Sequence, residues 1–474
     1  MPSRQDQLHS YQFSRQRVVA ALVTHDPDPY RSPLRRAGTT ALVSLVVAAL
    51  AVSAVAVYGV LTGHSNDNPR DGSVVYLEKG SGARYVYLGS DRRLHPVLNY
   101  SSGLLIANSA TPALVTTTRE RLATVPLGDP LGIPGAPDSL PARGDLIDRP
   151  WSICTQAPDP ATPAAAPRST LLVGDRLTDG TVVTAPGAGL PPLALLVRDP
   201  ARRTFLVAGN RRFLIPDDRH APILSAFKWS DRQPWPVATA WINSVPLGPD
   251  VQPPEIAGRG GRSVVRDATI GRLLTDGRQW KVALADGAAA ITEVQGLLLQ
   301  TVPGPDPVTL GGPEFNNLPP SQTRISDAGD PNGLPSTMPA LADPPRRACL
   351  TLPVGADGAG IRIDPTVPEG APVSGDSAVP GGVQADLVHV ARGRGAVVLS
   401  LASPTAPESA ATVSVVTDTG RRYSVATQDV LGRLGYGGVP TRAVPAQLVV
   451  LLPAGPALDV TRARRVAPGD VQGG

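Results

Sequence analysis

Six histidines, two cysteines and three lysines are the side chains from which this 474-residue chain would have to build a metal site, a nucleophile or a phosphate cradle. His9, His25, His64, His95, His220 and His389 are scattered. There is no His-Glu-x-x-His and no cysteine close to a histidine, so the spacing that puts several ligands on one metal is missing. None of Lys79, Lys228 and Lys281 follows a glycine, and no Gly-x-x-x-x-Gly-Lys-Ser/Thr occurs, which removes the usual lysine and backbone cradle for nucleotide phosphates. Gly355, Gly358 and Gly360 imitate part of a dinucleotide loop but sit in proline-rich sequence with no helix after them. Arg392-Gly-Arg-Gly395 has the donors for an anion, yet reads better as a plain hairpin turn. A Gly-x-Ser-x-Gly elbow is also absent. No catalytic, cofactor-binding or metal-binding residue is therefore assigned, and no cofactor is evident.

The element around which the rest is organised is Thr39 to Leu61, 23 residues without a charge or a proline. At roughly 1.5 Å per residue they reach about 35 Å, enough to cross a hydrocarbon core of about 30 Å. A buried core helix would show a polar face, and a cleaved signal would have a shorter apolar region. Arg4, Arg15, Arg17, Arg31, Arg35 and Arg36 precede the run, whereas only Arg70 closely follows it. That asymmetry predicts a cytoplasmic N-terminus and an extracytoplasmic remainder. Ahead of the span, Leu8, Tyr11, Val18, Val19 and Leu22 fall near one face of a predicted amphipathic helix over 8–23, ended by His25-Asp-Pro-Asp-Pro29.

Composition bounds the architecture beyond the span. Glycine and proline exceed a fifth of the positions and aromatics are only 4%, proportions of several small, loop-rich modules. The net charge of +4 is spread out and no aromatics interleave with the arginines, so nucleic acid is not expected as a partner. Cys154 and Cys349 both lie beyond the span, where a disulfide persists, and a pair is expected rather than two free thiols. It would close a loop of about 195 residues, worth on the order of 4 to 5 kcal/mol in the chain-entropy picture.

Four copies of an internal repeat are proposed on the strand pieces Arg84-Tyr-Val-Tyr-Leu88, Arg212-Phe-Leu-Ile215, Arg278-Gln-Trp-Lys-Val-Ala-Leu284 and Arg422-Tyr-Ser-Val-Ala426. His95-Pro-Val-Leu98 and His220-Ala-Pro-Ile-Leu224 each open a possible helix, and His95 and His220 are read as equivalent structural positions. Three copies close on Val125-Pro126-Leu-Gly, Val245-Pro246-Leu-Gly and Leu452-Pro453-Ala-Gly. Each unit is too small to cover its own apolar face, so neighbours or a central module must do so.

Ser10-Tyr-Gln-Phe13, Pro33-Leu-Arg-Arg36, the single span and Leu94-His-Pro-Val-Leu98, in that order, resemble the EccB family, the single-pass membrane component of type VII secretion systems. The resemblance covers nearly the whole chain. It implies repeat modules around a core in an elongated exported domain, other secretion-system membrane subunits including an FtsK-like ATPase as partners, and self-association beside membrane lipid. Members carry the label ATPase, so ATP enters only through the resemblance.

The expected fold is α+β and β-rich. The expected order is a cytoplasmic arm 1–38, span 39–61, juxtamembrane linker 62–82, repeat 83–135, central mainly-β core 136–198, repeats 199–255 and 265–304, second core part 305–410, repeat 411–460 and a disordered tail 461–474. The expected function is a membrane-anchored structural component of a type VII protein secretion complex. A wall-binding anchored module and an ATP hydrolase with a non-P-loop site are the alternatives.

Overall fold

A computed structural model of the chain describes residues 3–25, 33–61, 68–158, 165–183, 192–326, 329–330, 332–353, 360–373, 382–403, 406–407, 409 and 411–467. Helix α1 spans Arg4–Thr24, started by a capping box between Ser3 and Asp6 and stopped where His25 turns left-handed. Helix α2 spans Pro33–Leu61. Within it Gly38–Tyr58 is, among the described residues, the one stretch long and apolar enough to cross a membrane, and none of it is buried in the protein. His64 lies outside the described residues, as do Gly355 and Gly358.

Beyond α2 the chain forms five sheets, four of them built to one plan. In the first copy the strands Val74–Glu78, Arg84–Leu88 and Arg93–Pro96 form an antiparallel meander. The helix Tyr100–Ile106 then returns the chain so that Ala113–Thr117 lies parallel to the first strand. The second copy repeats this with Leu193–Arg198, Thr204–Ala208, Arg211–Ile215, helix His220–Ala226 and Trp235–Pro236. The third uses Leu273–Thr275, Trp280–Ala283, Ala288–Ile291, helix Glu293–Leu299 and Val308–Thr309. The fourth uses Ala396–Leu401, Thr412–Val416, Arg422–Val425, helix Gln428–Leu431 and Arg442–Pro445. The helices after the third strand start on side-chain caps in three copies: Asn99, Thr292 and Thr427 each accept from the backbone three residues on.

The plan shifts the expected alignment by one strand. Arg84–Leu88 and the 280–283 piece are second strands, whereas Arg211–Ile215 and Arg422–Val425 are third strands. Arginine-led alternating pieces look alike in sequence, and only the pairing partners tell them apart. Copies one, two and four also begin a strand earlier than expected. Val74–Glu78 belongs to copy one rather than to a linker, and Leu193–Arg198 and Ala396–Leu401 belong to copies two and four rather than to the central core.

The fifth sheet is central and seven-stranded, in the order Ala371–Pro372, Leu387–His389, Arg168–Leu172, Trp151–Gln156, Arg347–Leu352, Gly360–Ile363, Thr181–Val182. Copies two and three are inserted between its strands 181–182 and 347–352. Gly360–Ile363 and Ala371–Pro372 are strands of this sheet despite the glycine- and proline-rich sequence around them.

Alternation along the strands divides this sheet into two faces. Trp151, Ile153, Leu171, Ala348 and Leu350 enter one large core with Val197 and Trp241 of copy two and Val398 and Leu448 of copy four. Copy four packs in turn on copy one, through Val415, Tyr423 and Leu458 against Val75, Leu105 and Ile133. Copy two packs on the third through Phe213 and Ile223 against Val294 and Leu298. The order of contact is thus copy one, copy four, central sheet, copy two, copy three. The tail is ordered as far as residue 467, with 468–474 outside the described residues: Val460–Ala463 is helical, Val466 bridges Leu131, and the Ala467 amide donates to the Pro130 carbonyl at 2.9 Å. Burial of Ala463 against copy one accounts for this order.

Candidate functional site: a scaffold with a repeated closure

Every copy ends by laying one short segment beside its third strand. In copy one the Leu94 amide donates to the Pro126 carbonyl at 2.9 Å, and the Gly128 amide returns a bond to Leu94 at 2.9 Å. Copy two places Arg212 between Pro246 and Gly248 at 2.9 and 2.8 Å, and copy four places Arg422 between Pro453 and Gly455 at 3.0 and 2.8 Å. Proline fits because its missing donor faces away from the ladder and its carbonyl is the group used.

The glycine is required by what lies above it. A Cβ on Gly128 would stand 2.3 Å from the His95 ring, on Gly248 2.3 Å from Phe213, and on Gly455 2.2 Å from Tyr423. These three rings occupy one register position, the residue after the one gripped by the closing segment. His95 therefore has Phe213 and Tyr423 as counterparts. His220, expected as its equivalent, instead opens the helix His220–Ala226, and its Nε2 is buried without a hydrogen-bond partner.

Both nitrogens of His95 are engaged. Nδ1 is 2.8 Å from the Asp129 carbonyl and Nε2 is 2.8 Å from Asp91 Oδ2. Burial raises the Asp91 carboxyl, but the His95 hydrogen bond and neighbouring backbone donors outweigh it and leave that carboxyl below its ordinary value. His95 is thus held inside the fold as a strut between turns. Arginine adds a second tie: Arg93 Nη1 donates to the Leu127 carbonyl at 3.0 Å, and Arg211 Nη1 donates to the Leu247 carbonyl at 2.9 Å.

Copy three was not expected to share this closure, but it does. The Ala288 amide donates to the Pro319 carbonyl at 2.7 Å and the Ser321 amide returns to Ala288 at 3.1 Å. Here the ring position holds Ala289 and the glycine position holds Ser321. A small residue on one strand makes room for a Cβ on the other. The paired pattern of ring with glycine, or small with small, is the signal sequence reading missed, since it appears only when the two segments are written opposite one another.

Cys154 and Cys349 lie directly across from each other on adjacent antiparallel strands and form the disulfide, both buried on the face opposite the large core. Beside them Ser152 Oγ and Thr351 Oγ1 are 2.7 Å apart. The bond joins strands that the insertion of copies two and three separates in sequence. Tyr436 links copy four to the segment after copy one: its buried hydroxyl donates to the Pro141 carbonyl at 2.7 Å, and burial raises its ionisation well above the ordinary tyrosine range.

Around the remaining histidines no chemistry gathers among the described residues. Among the described residues there is no cluster of three His, Cys, Asp or Glu side chains placed to hold a metal. His389 Nδ1 donates to the Glu369 carbonyl at 2.9 Å, and its Nε2 is 3.7 Å from Asp175. Arg392-Gly-Arg-Gly395 is a turn between strands, with the Gly393 amide donating to Asp418 at 2.9 Å.

A single apolar span joined to a chain of interlocked small sheets is the form of a membrane-anchored scaffold component. The family model described as "Type VII secretion system ESX-1, transport TM domain B" matches residues 1–468, and the chain belongs to that family, EccB. Among its relatives, the "ESX-5 secretion system ATPase EccB5" of Mycobacterium tuberculosis is 26% identical over 485 residues, covering 96% of this chain and 92% of that protein. The "ESX-3 secretion system ATPase EccB3" of the same organism is 26% identical over 370 residues, covering 74% of this chain and 66% of that protein, just under two thirds of its length. The fold matches a chain in the structure of an intact ESX-5 inner membrane complex with a TM-score of 0.69 at 22% identity, covering 100% of this chain and 98% of that one. A chain of the EccB3 dimer from the ESX-3 core complex matches with a TM-score of 0.62 at 24% identity, covering 83% and 100%.

Proposed function

We propose that the protein is a structural subunit of a type VII secretion complex, anchored by α2, with its N-terminal arm in the cytoplasm and its repeats outside. It works by assembly with other membrane subunits, an FtsK-like motor ATPase among them, and with further copies of itself. The observation that carries this reading is the extent of the family match, which takes in the arm, the span and all four repeats as one unit. The arginine asymmetry across the span supports the orientation. The interlocked cores support a mechanical role, because each copy shares part of its apolar core with a neighbour.

The test is the native mass of the tagged full-length protein, gently extracted from its own membranes, with its companions identified. A very large assembly containing the motor subunit is expected. A lone monomer stable in several mild detergents overturns the reading and favours a wall-binding anchored module. ATP turnover by the full chain that persists after removal of contaminating ATPases and is lost in a point variant would add hydrolysis to the structural role.

A further inference from the structure

The central sheet is covered unequally, and its lightly covered face carries a groove. One face enters the large core, whereas the other holds the disulfide under a small cap of Leu172, Leu177 and Val367. Beside that cap, where the sheet meets copy four, lies an open groove of about 790 Å³. Its walls bring together Arg149, Arg176, Arg362 and Arg442 from four separate segments, against two acids, Asp148 and Asp175. Of the acids, Asp175 is turned toward His389, with Oδ1 3.7 Å from Nε2.

Guanidinium groups that line one groove repel one another unless anions or carbonyls lie between them. Arg362 has one such partner, a long 3.5 Å bond from Nη1 to the Asp179 carbonyl. The guanidinium groups of Arg149, Arg176 and Arg442 donate no hydrogen bond and form no direct ion pair among the described residues, although the Arg149 charge does favour the ionised form of Asp175 across the groove. Their forked donors, unused in hydrogen bonds, suit carboxylates in geometry as well as charge.

We propose that this groove between the central sheet and copy four is a docking site for an acidic peptide segment of another protein. Charge complementarity selects the occupant. The retained carboxylate of Asp148 disfavours an unbroken polyanion such as a phosphate polymer, whereas a peptide can set its carboxylates against the arginines and a neutral residue beside Asp148. Pro150 and Leu177 in the lining give apolar contact to the residues between the acids.

The test uses the full-length protein in detergent micelles and a fluorescein-labelled decapeptide alternating Glu or Asp with Ala, read by anisotropy at low salt. Saturable binding is expected, weakening as salt is raised. The isosteric peptide with Gln and Asn should not bind. The double variant Arg149→Gln, Arg442→Gln should lose about tenfold or more in affinity, as expected for lost charge-assisted bonds. Arg176→Gln, an exposed side chain whose change disturbs no packing, should lose affinity while folding normally, and Arg266→Gln on copy three should bind as wild type. No saturable binding, equal binding of the uncharged peptide, or unchanged affinity in the variants overturns the proposal. So does long-chain polyphosphate that binds through the same arginines while the peptide does not.

Discussion

Copy three and the other three copies reach the same closure by opposite means. In copies one, two and four a ring lies over a glycine, and the missing Cβ is the space the ring fills. In copy three Ala289 faces Ser321, and the closing segment is held instead by Asp286, whose Oδ1 accepts the Ser321 hydroxyl at 2.6 Å and whose Oδ2 accepts the Gln322 amide at 2.9 Å. The difference teaches that the repeat is defined by a backbone plan and a pair of complementary volumes rather than by any residue common to all copies. It also gives the closures different sensitivities: packing governs copies two and four, while an exposed carboxylate clamps copy three.

The largest effect should come from removing a ring. Phe213 is fully enclosed, so Phe213→Ala is expected to cost about 3–5 kcal/mol, read as lost hydrogen-exchange protection of the 246–251 segment in the full-length protein. Ala289→Gly should leave the copy-three closure nearly as protected, and equal losses would break the comparison.

Overfilling comes next. Gly248→Val drives a side chain into Phe213 and should cost about 1–3 kcal/mol, whereas Ser321→Val, where a Cβ already fits, should cost clearly less. The pair Phe213→Ala with Gly248→Ser imitates copy three and should be less damaging than the sum of its single changes.

Acid should separate the copies. The Ser321 hydroxyl and the Gln322 amide hold the Asp286 carboxyl below its ordinary value. Its contribution is therefore fully present above the unfolded-state value near 3.8 and is lost as pH falls through the lower folded value. Exchange protection at 319–323 is expected to fall below about pH 4, and the closures of copies two and four, which rest on Phe213 and Tyr423, are expected to hold through that range. Asp286→Asn should remove the pH dependence. The smallest effect is Ser321→Ala, which deletes two exposed hydrogen bonds, one donated to Asp286 and one accepted from the Thr323 amide, and should be seen only in local exchange.

Much of the plan was legible in the chain. The uncharged run from Thr39 to Leu61 determined an apolar helix by itself, because no arrangement of those residues offers a polar face. The two cysteines implied one bond, and the Pro-x-Gly closings marked three of the four copies. Strand membership was not legible, for a physical reason. Alternation reports that a piece has an inner and an outer face but not which neighbour it pairs with, so Leu193–Arg198 and Ala396–Leu401 read as core strands until their partners were seen. The fourth closing segment stayed hidden because its small residues satisfy a constraint that exists only across the ladder.

Sequence alone determined the anchor, the β-rich class, the repeat and the family. Tertiary structure decided which ring meets which glycine, that His95 answers to Phe213 rather than His220, that the tail bridges copy one, and that four arginines distant in sequence share one groove. Those are pairwise facts between segments tens to hundreds of residues apart. Local propensity and composition act within a segment, and only the closing of the chain sets one segment against another.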